Sequence, residues 1–545
     1  MNTPSIVTGA AWQSLLDGEA RAWLERDALL PFLARQRWFA GKARRVTKAR
    51  IADSGLLSPG EEPAFLCLVD VTFADGGRDR YFVPMAASED PAASQIEREY
   101  PANVIARLSG PREGVLHDVL EERVASILLD GIAERRRIPM RAGEIRAAPT
   151  SAFAEAHSAA PSAQFHVRRL SGEQSNTSLL YADRLILKVL RRVEPGLNPE
   201  YEIGLHLTER TSFDRAPRLA GALDYRSGAE STIVGVMHAF VEHDANAWEY
   251  SRDHARQFFD RVYSRPAPTV QALSGATAIV TASRSEAPVV ARETAQGYLE
   301  KAALLGRRTA ELHVALADAK GDPAFEPEPL TRLECGALGE EMRSRALEAV
   351  AALRASLNRV PAGLAARARR LIDTPDLFVA PFACLADLDP VVSRIRVHGD
   401  YHLGQVLCVR DDFVIIDFEG EPLRPIEERR RKHPAVKDVA GMLRSFSYAA
   451  CAGLFEHVGE RPDELAPLEP WAELWYSWAS AAFLRAYLGT AGSALFVPRD
   501  PAALDVLLRA FLLDKAFYEL AYELSARPAW LRIPLLGILS LTDVL

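Results

Sequence analysis

The sequence predicts an α+β chain whose strand-rich first half gives way to a mostly helical second half, and three observations predict it. Short β-forming runs separated by turn residues fill 65–84 and 165–190. Apolar residues recur at helical spacing through most of the chain beyond 243. One stretch, 397–422, interrupts those helices: residues 406–409 and 413–416 are apolar runs joined at 410–412, the pattern of a tight hairpin.

With 545 residues the chain outgrows a single core. The expected division is a cap at 1–95, an N-lobe with an intermediate segment at 96–242, and a helical C-lobe carrying the hairpin at 243–545. Composition is 48% hydrophobic and 25% charged, as in soluble globular proteins. A net charge of −8 argues against general nucleic-acid binding, which needs a basic footprint. Five scattered cysteines without metal-ligand spacing fit a reducing compartment. The first twenty residues lack a basic region followed by a long apolar one, and no apolar run approaches a membrane span, so the expectation is a cytoplasmic enzyme with no signal peptide.

Taken in order, 21–39 reads as a helix through Trp23, Leu24, Leu29, Leu30, Phe32 and Leu33, ending before Gly41. Strands are expected at 65–73 and 79–84, around the turn residues Asp75, Gly76 and Gly77. Residues 115–133 read as an amphipathic helix, and the Ala/Ser/Pro-rich 147–164 as a loop. At 165–190 a strand leads into a polar loop, 171–178, then a strand, a turn at 182–184 and a strand bearing Lys188. A loop at 194–199 precedes a helix with Glu200 and Glu202 in its first turn. A strand at 232–236 runs into 237–241, a hinge-like segment containing Met237 and Phe240. Helices follow at 252–263, 293–317, 340–357 and 362–374, then at 438–457, 471–487 and 502–524. The spacer 242–292 offers no residue with an assignable role, and His313 reads as a satisfied packing or surface residue.

The hairpin carries the chemistry. Asp400 sits in its loop, with His398 two residues before and Gln405 five after, and Asp417 and Glu419 emerge beyond the second strand. One carboxylate to orient an acceptor hydroxyl, and a carboxamide and an acid to hold Mg²⁺ against nucleotide phosphates, are what phosphoryl transfer requires. The protein-kinase pattern is H-R-D-x-x-x-x-N followed by D-F-G; here it is H-G-D-x-x-x-x-Q followed by D-F-E-G. The upstream strands supply the matching parts. Ser175, Asn176 and Thr177 are placed to face phosphates, Lys188 to contact them from a strand, Glu200 or Glu202 to pair with that lysine, and 237–241 to recognise adenine through its backbone. The fold expected is therefore bilobal and protein-kinase-like.

VHGDYHLGQVL at 397–407, followed by IIDFEGEP at 415–422, resembles the maltokinase family, as do LPFLARQRWFAGKAR at 30–44 and DKAFYELAYELSARPAWLRIPL at 514–535. The resemblance runs from about residue 30 to the end. It implies an aminoglycoside-phosphotransferase-type fold and ATP-dependent phosphorylation of maltose at its anomeric hydroxyl. It also implies a product that feeds α-glucan synthesis and association with trehalose synthase. Carried over, Asp400 is the catalytic base, Gln405 and Asp417 hold Mg²⁺ with Glu419 a further candidate, and Lys188 contacts the α- and β-phosphates. A sugar site needs polar groups and an aromatic platform. The candidates are His402, Arg444, Tyr448, Tyr518 and Trp530, with Lys515, Glu519 and Tyr522 sharing one helix face. Changes there would redirect the enzyme to glucosamine, another amino sugar or another sugar.

Overall fold

The computed structural model describes residues 3–9, 11–118, 122–158, 166–170, 175–268, 275–388, 392–422, 424–459 and 461–542. The chain forms two compact units. The first comprises Met1–Arg210, Pro217–Glu242 and Leu423–Glu428; the second comprises Thr211–Ala216, His243–Pro422 and Arg429–Leu545.

The first unit holds two sheets. One contains β1 (Ser5–Val7), β2 (Val46–Ser58), β3 (Ala64–Phe73), β4 (Arg78–Glu89), β5 (Val104–Ser109) and β6 (Gly114–His117), in the order β1-β5-β6-β4-β3-β2. Its core gathers Leu29, Phe32 and Leu33 from the N-terminal helices against Ile51, Val69 and Val83. The second contains β7 (Arg137–Pro139), β8 (Glu144–Pro149), β9 (Val167–Arg169), β10 (Asn176–Tyr181), β11 (Leu185–Leu190), β13 (Leu219–Ser227) and β14 (Glu230–Ala239), in the order β7-β8-β13-β14-β11-β10-β9. The two-residue β12 (Arg192–Val193) follows β11 and pairs with β4, so the chain that carries Lys188 runs on into the first sheet.

The expected helix at 21–39 ends at Arg35. Gln36 turns to extended backbone, and its side-chain amide donates to the carbonyls of Phe32 and Ala102, which replaces the next helical turn. The expected helix at 115–133 is corrected: Val115 and Leu116 pair with Ser88 and Ala87 as part of β6, and the helix begins at Glu122. Two apolar residues between β4 and β5 gain a ladder on both sides as well as burial, which local periodicity does not register. Residues 119 and 120 of that expectation lie outside the described residues. In the expected loop at 147–164, β8 reaches Pro149 and a helix spans Ser151–Ser158; residues 159–164 lie outside the described residues.

The second unit is helical around a three-stranded sheet, and a separate two-stranded sheet pairs Glu328–Pro329 with Ser393–Arg394. Helix Val436–Val458 packs on Ala247–Val262, Leu465–Ala491 and Pro501–Ala526, and Tyr298–Leu316 lies along Leu465–Ala491. The hairpin pairs Val406–Val409 with Asp412–Ile415, and Ala245–Asn246 adds a third strand. Arg410 takes a left-handed φ of 54° at the turn. Arg308 donates to both carboxylate oxygens of Asp412 at 2.8 and 2.6 Å, pinning the hairpin to helix Tyr298–Leu316. The helix expected from 293 starts at Tyr298, because Gln296 and Gly297 turn left-handed.

Candidate active site

The loop bearing Asp400 is fixed by a buried carboxylate. Asp438, in the first turn of helix Val436–Val458, accepts the backbone N–H groups of His398 at 2.7 Å and Gly399 at 3.0 Å. Asp438 is held in turn by His313 at 3.0 Å, whose other ring nitrogen lies 2.8 Å from the Tyr487 hydroxyl. His313 is thus buried and satisfied, as the sequence reading has it, and it also orients the carboxylate under the loop. Gly399 adopts φ +88°, a region that side-chain-bearing residues rarely enter, which explains the glycine between His398 and Asp400. Gly441 lets the helix approach the loop: a Cβ there would lie 2.5 Å from the Tyr401 carbonyl oxygen. His398 lies 2.9 Å from the Ile416 carbonyl through Nε2, bracing the loop against the end of the hairpin.

Asp400 accepts a hydrogen bond from the Lys515 ammonium at 3.1 Å. Burial disfavours its charge, yet Lys515 and the nearby His402 more than offset this, and its carboxyl sits well below the usual carboxylate range. Burial likewise disfavours the Lys515 ammonium, but Asp400 and then Glu421 hold its pKa above the ordinary lysine value. Burial lowers the His402 pKa despite the opposing pull of Asp400. Its Nδ1 accepts the Gly404 N–H at 3.0 Å, and its Nε2 lies 4.0 Å from Asp400.

Gln405 and Asp417 meet across the hairpin, the Gln405 amide donating to Asp417 at 2.8 Å. Amide and carboxylate oxygens are hard donors suited to Mg²⁺, which is usually held by one or two carboxylates together with substrate phosphates. Among the described residues no cluster of three His, Cys, Asp or Glu side chains forms a cage for a metal. Glu419 is buried, with its carbonyl accepting from Arg429.

Lys515, the partner of Asp400, lies at the wall of a cavity of about 360 Å³. His402, Tyr448, Lys515, Tyr518, Glu519 and Tyr522 line it, as do Asn246, Trp248, Glu523 and Arg527. Arg444 is buried and donates twice to Glu519 at 2.6 and 3.0 Å. The Tyr448 hydroxyl donates to Glu523 at 3.1 Å, and its ring stacks on Trp530 with centroids 6.1 Å apart. Trp248 approaches Trp530 at 6.4 Å. The spacer without an assigned role therefore contributes Asn246 and Trp248. The signal was present: Asn246 is the N-cap of helix Ala247–Val262, accepting from the Glu249 N–H, with a tryptophan just inside the first turn. Glu523 and Arg527 continue the helix face of Lys515 and Glu519 at four-residue steps.

In the first unit, Lys188 lies opposite Ser178 on β10 and Val236 on β14, in the middle of the sheet. Ser175 accepts from the Asn176 side chain at 3.3 Å. The Thr177 hydroxyl does not point outward; it accepts from the buried Arg191 guanidinium at 2.9 Å. Residues 171–174 of the polar loop lie outside the described residues. Glu200 and Glu202 are both buried, and Glu200 comes within 3.7 Å of His238. Met237 is sealed in the core, while the Phe240 N–H donates to the Arg184 carbonyl.

Residues 32–120 match the family model of the maltokinase N-terminal cap domain. The chain is 26% identical over 491 residues to a glucosamine kinase of Streptacidiphilus jiangxiensis, covering 85% of this chain and 97% of that one. It is 25% identical over 380 residues to a glucosamine kinase of Mycolicibacterium smegmatis, covering 69% of this chain and 79% of that one. Among solved structures, a glucosamine kinase in complex with glucosamine, ADP and inorganic phosphate matches with a TM-score of 0.59 at 24% identity, over 94% of this chain and 97% of that one. A second glucosamine kinase crystal form matches with a TM-score of 0.60 at 23% identity, over 93% and 95%. The chain therefore carries a maltokinase N-terminal cap domain on a body with the fold of the glucosamine kinases.

Proposed function

We propose that this chain is an ATP-dependent sugar kinase that phosphorylates maltose at its anomeric hydroxyl, giving maltose 1-phosphate for α-glucan synthesis, in the cytoplasm and in association with trehalose synthase. The observation that carries the kinase reading is Asp400, held on a backbone-anchored loop and bonded to Lys515, which lines a cavity together with three tyrosines, Trp248 and ionic groups. The maltokinase cap at 32–120 supports maltose as the acceptor.

In this reading the acceptor hydroxyl donates to Asp400 and its oxygen attacks the γ-phosphorus. The bond from that phosphorus to the β–γ bridging oxygen breaks, and the hydroxyl proton passes to Asp400. A strongly acidic carboxylate suits this task, because phosphoryl transfer through a loose transition state needs an oriented hydroxyl more than a strong base. Gln405 and Asp417 would hold Mg²⁺, with Glu419 nearby in sequence, and the metal supplies charge neutralisation to the phosphates when bound. Lys188 would contact the α- and β-phosphates, with Glu200 or Glu202 as its partner, and the backbone of 237–241 would meet adenine. Ser175 and Asn176 remain candidates for the phosphates, whereas Thr177 would contribute through its backbone. Position and preorganised charge would supply most of the acceleration.

A second reading has one observation behind it: the relatives aligned over most of the chain are glucosamine kinases, which favours an amino-sugar acceptor. A panel of sugars with Mg²⁺–ATP, read by ADP release and by NMR of the product, decides between them. Phosphate on the anomeric oxygen of maltose is the expected result. Phosphate on glucosamine alone would replace maltose, and no turnover with any sugar would overturn the kinase reading.

A further inference from the structure

The charges that line the acceptor cavity cancel among themselves. Two carboxylates, Glu519 and Glu523, and two cations, Lys515 and Arg527, face it. Each is already committed. Lys515 holds Asp400. Glu519 takes both donors of the buried Arg444 through one oxygen. Glu523, only 1% exposed, receives Arg527 on both oxygens, at 2.6 and 3.0 Å, and the Tyr448 hydroxyl at 3.1 Å. Glu421, which also stabilises the Lys515 ammonium, is not on the lining.

A cationic ligand needs a carboxylate with lone pairs to spare. Glu519 keeps its second oxygen, but Glu523 does not: to reach Glu523 an ammonium must displace Arg527, which then loses its partner. A neutral polyol makes no such demand: its hydroxyls can donate to carboxylates and accept from Lys515 or Arg527 without removing a charge from its partner. The aromatic faces of Tyr448 and Trp248, both on the lining and both packed near Trp530, offer apolar surface to a sugar ring and are indifferent to the difference between hydroxyl and amine.

We propose that the internal pairing of this cavity selects neutral sugars against amino sugars, with Arg527 the specificity-determining residue through its hold on Glu523. The inference rests on the sugar-kinase reading of the same site. Arg527 is the pair member to edit. It is the more exposed partner, its side chain 46% accessible against 1% for Glu523, and its guanidinium also lies 4.9 Å over Trp530 and 5.5 Å over Tyr522. Without it, Glu523 remains at the wall with only a tyrosine hydroxyl, a ready partner for an ammonium group.

The test compares the full-length protein with Arg527→Met and Arg527→Lys, using maltose and glucosamine as acceptors. Binding is followed by calorimetry and turnover by ADP release, with thermal unfolding as a check on folding. The wild type should favour the neutral sugar. Arg527→Met should move the kcat/KM ratio toward glucosamine by about ten- to hundredfold, chiefly through KM, as expected when a stranded buried carboxylate finds a new cation. Arg527→Lys, which keeps the charge, should return most of the preference. A wild type that binds glucosamine more tightly, or a ratio unchanged in Arg527→Met, overturns the inference and leaves the kinase reading standing. Binding of sugars without any phosphorylation overturns the kinase reading, while the binding ratio still decides the charge-balance inference.

Discussion

Asp400–Lys515 and Asp118–Arg191 are both carboxylate–cation pairs with nearly the same separation, 3.1 and 2.9 Å, and they do opposite things. The second is sealed. Both side chains have no exposure, and Arg191 also donates to Thr177 and to the Phe82 carbonyl and lies 4.9 Å over the Trp38 ring. Burial pushes the Asp118 pKa up although Arg191 opposes the shift. The first pair is about one-fifth exposed, with Lys515 on the lining of a cavity, and there the attraction prevails over burial. A sealed pair fixes which strands meet, here the end of β11, the start of β10 and the cap strand β4. A pair at a cavity wall keeps a charge in place for a ligand. The lesson is that exposure, more than pairing distance, separates a structural ion pair from a chemical one.

The sharpest way to break the comparison is Asp400→Asn. Turnover should fall by about 10²–10⁴-fold, the range for removing a positioned acid or base. Stability and nucleotide binding should hardly move, because the loop is anchored through backbone N–H groups and not through this side chain. Retained turnover, measured by ADP release with maltose, removes Asp400 from the chemistry.

The sealed pair should respond the other way. Arg191→Met removes the bonded partner of the buried Asp118 and leaves Arg169 as its remaining cationic neighbour, at a cost of about 3–5 kcal/mol. Urea unfolding should show that loss. Protein that still folds at low temperature should keep its activity within a few-fold. A stable variant with abolished turnover would mean that Arg191 acts in the reaction.

A third prediction uses pH. His117, the neighbour of Asp118 in sequence, is buried with Ser88 Oγ 3.0 Å from its Nε2, and burial, aided by Arg123, pushes its pKa down to about 3. The unfolded chain therefore takes up a proton near pH 6.5 that the folded chain refuses. The stability this group contributes is whole above about pH 6.5 and is lost as pH falls toward 3. Between pH 7 and 5 the loss should be about 2 kcal/mol. Asp118, with its raised pKa, works in the opposite direction nearer the carboxylate range, so the comparison must be differential. Thermal unfolding of wild type and His117→Gln at both values should show a shallower pH slope in the variant; equal slopes would remove His117 as the cause.

These regions also differ in how much of them the sequence revealed. The Asp400 loop was legible almost residue by residue, because a strand, a turn and fixed spacings are local properties and Gly399, Gln405 and Asp417 are each demanded by short-range geometry. Most of the cavity-lining residues on helix Pro501–Ala526 were legible as one face of a helix. The pairing of Arg444 with Glu519, 75 residues away, was not, nor were Glu523 and Arg527. Asn246 and Trp248 escaped because their part depends on a third strand joining the hairpin from 160 residues upstream. The Arg191–Asp118 pair left no trace in sequence, since a buried ion pair has no periodicity and its partners came from segments read separately. Thr177 shows the limit from the other side: a hydroxyl beside a polar loop looks available until a buried arginine claims it.

The smallest expected effect tests how the cavity pair is held. Lys515 lies 4.8 Å over the Tyr518 ring, a cation–π contact at an exposed tyrosine. Such contacts contribute about 0.5–1 kcal/mol at exposed positions. If Asp400 is the main anchor of Lys515, Tyr518→Leu should lower kcat/KM for the sugar by only about two- to fivefold, the equivalent of that energy. Tyr518→Phe, which keeps the ring face, should lose almost nothing. The two variants separate the ring from the hydroxyl. A large loss in Tyr518→Phe would mean that the hydroxyl meets the substrate directly. A large loss only in Tyr518→Leu would mean that the ring, and not Asp400, holds the ammonium in place. In that case the pair at the cavity wall depends on its aromatic neighbour much as the sealed pair is seated under Trp38, and exposure would no longer separate the two.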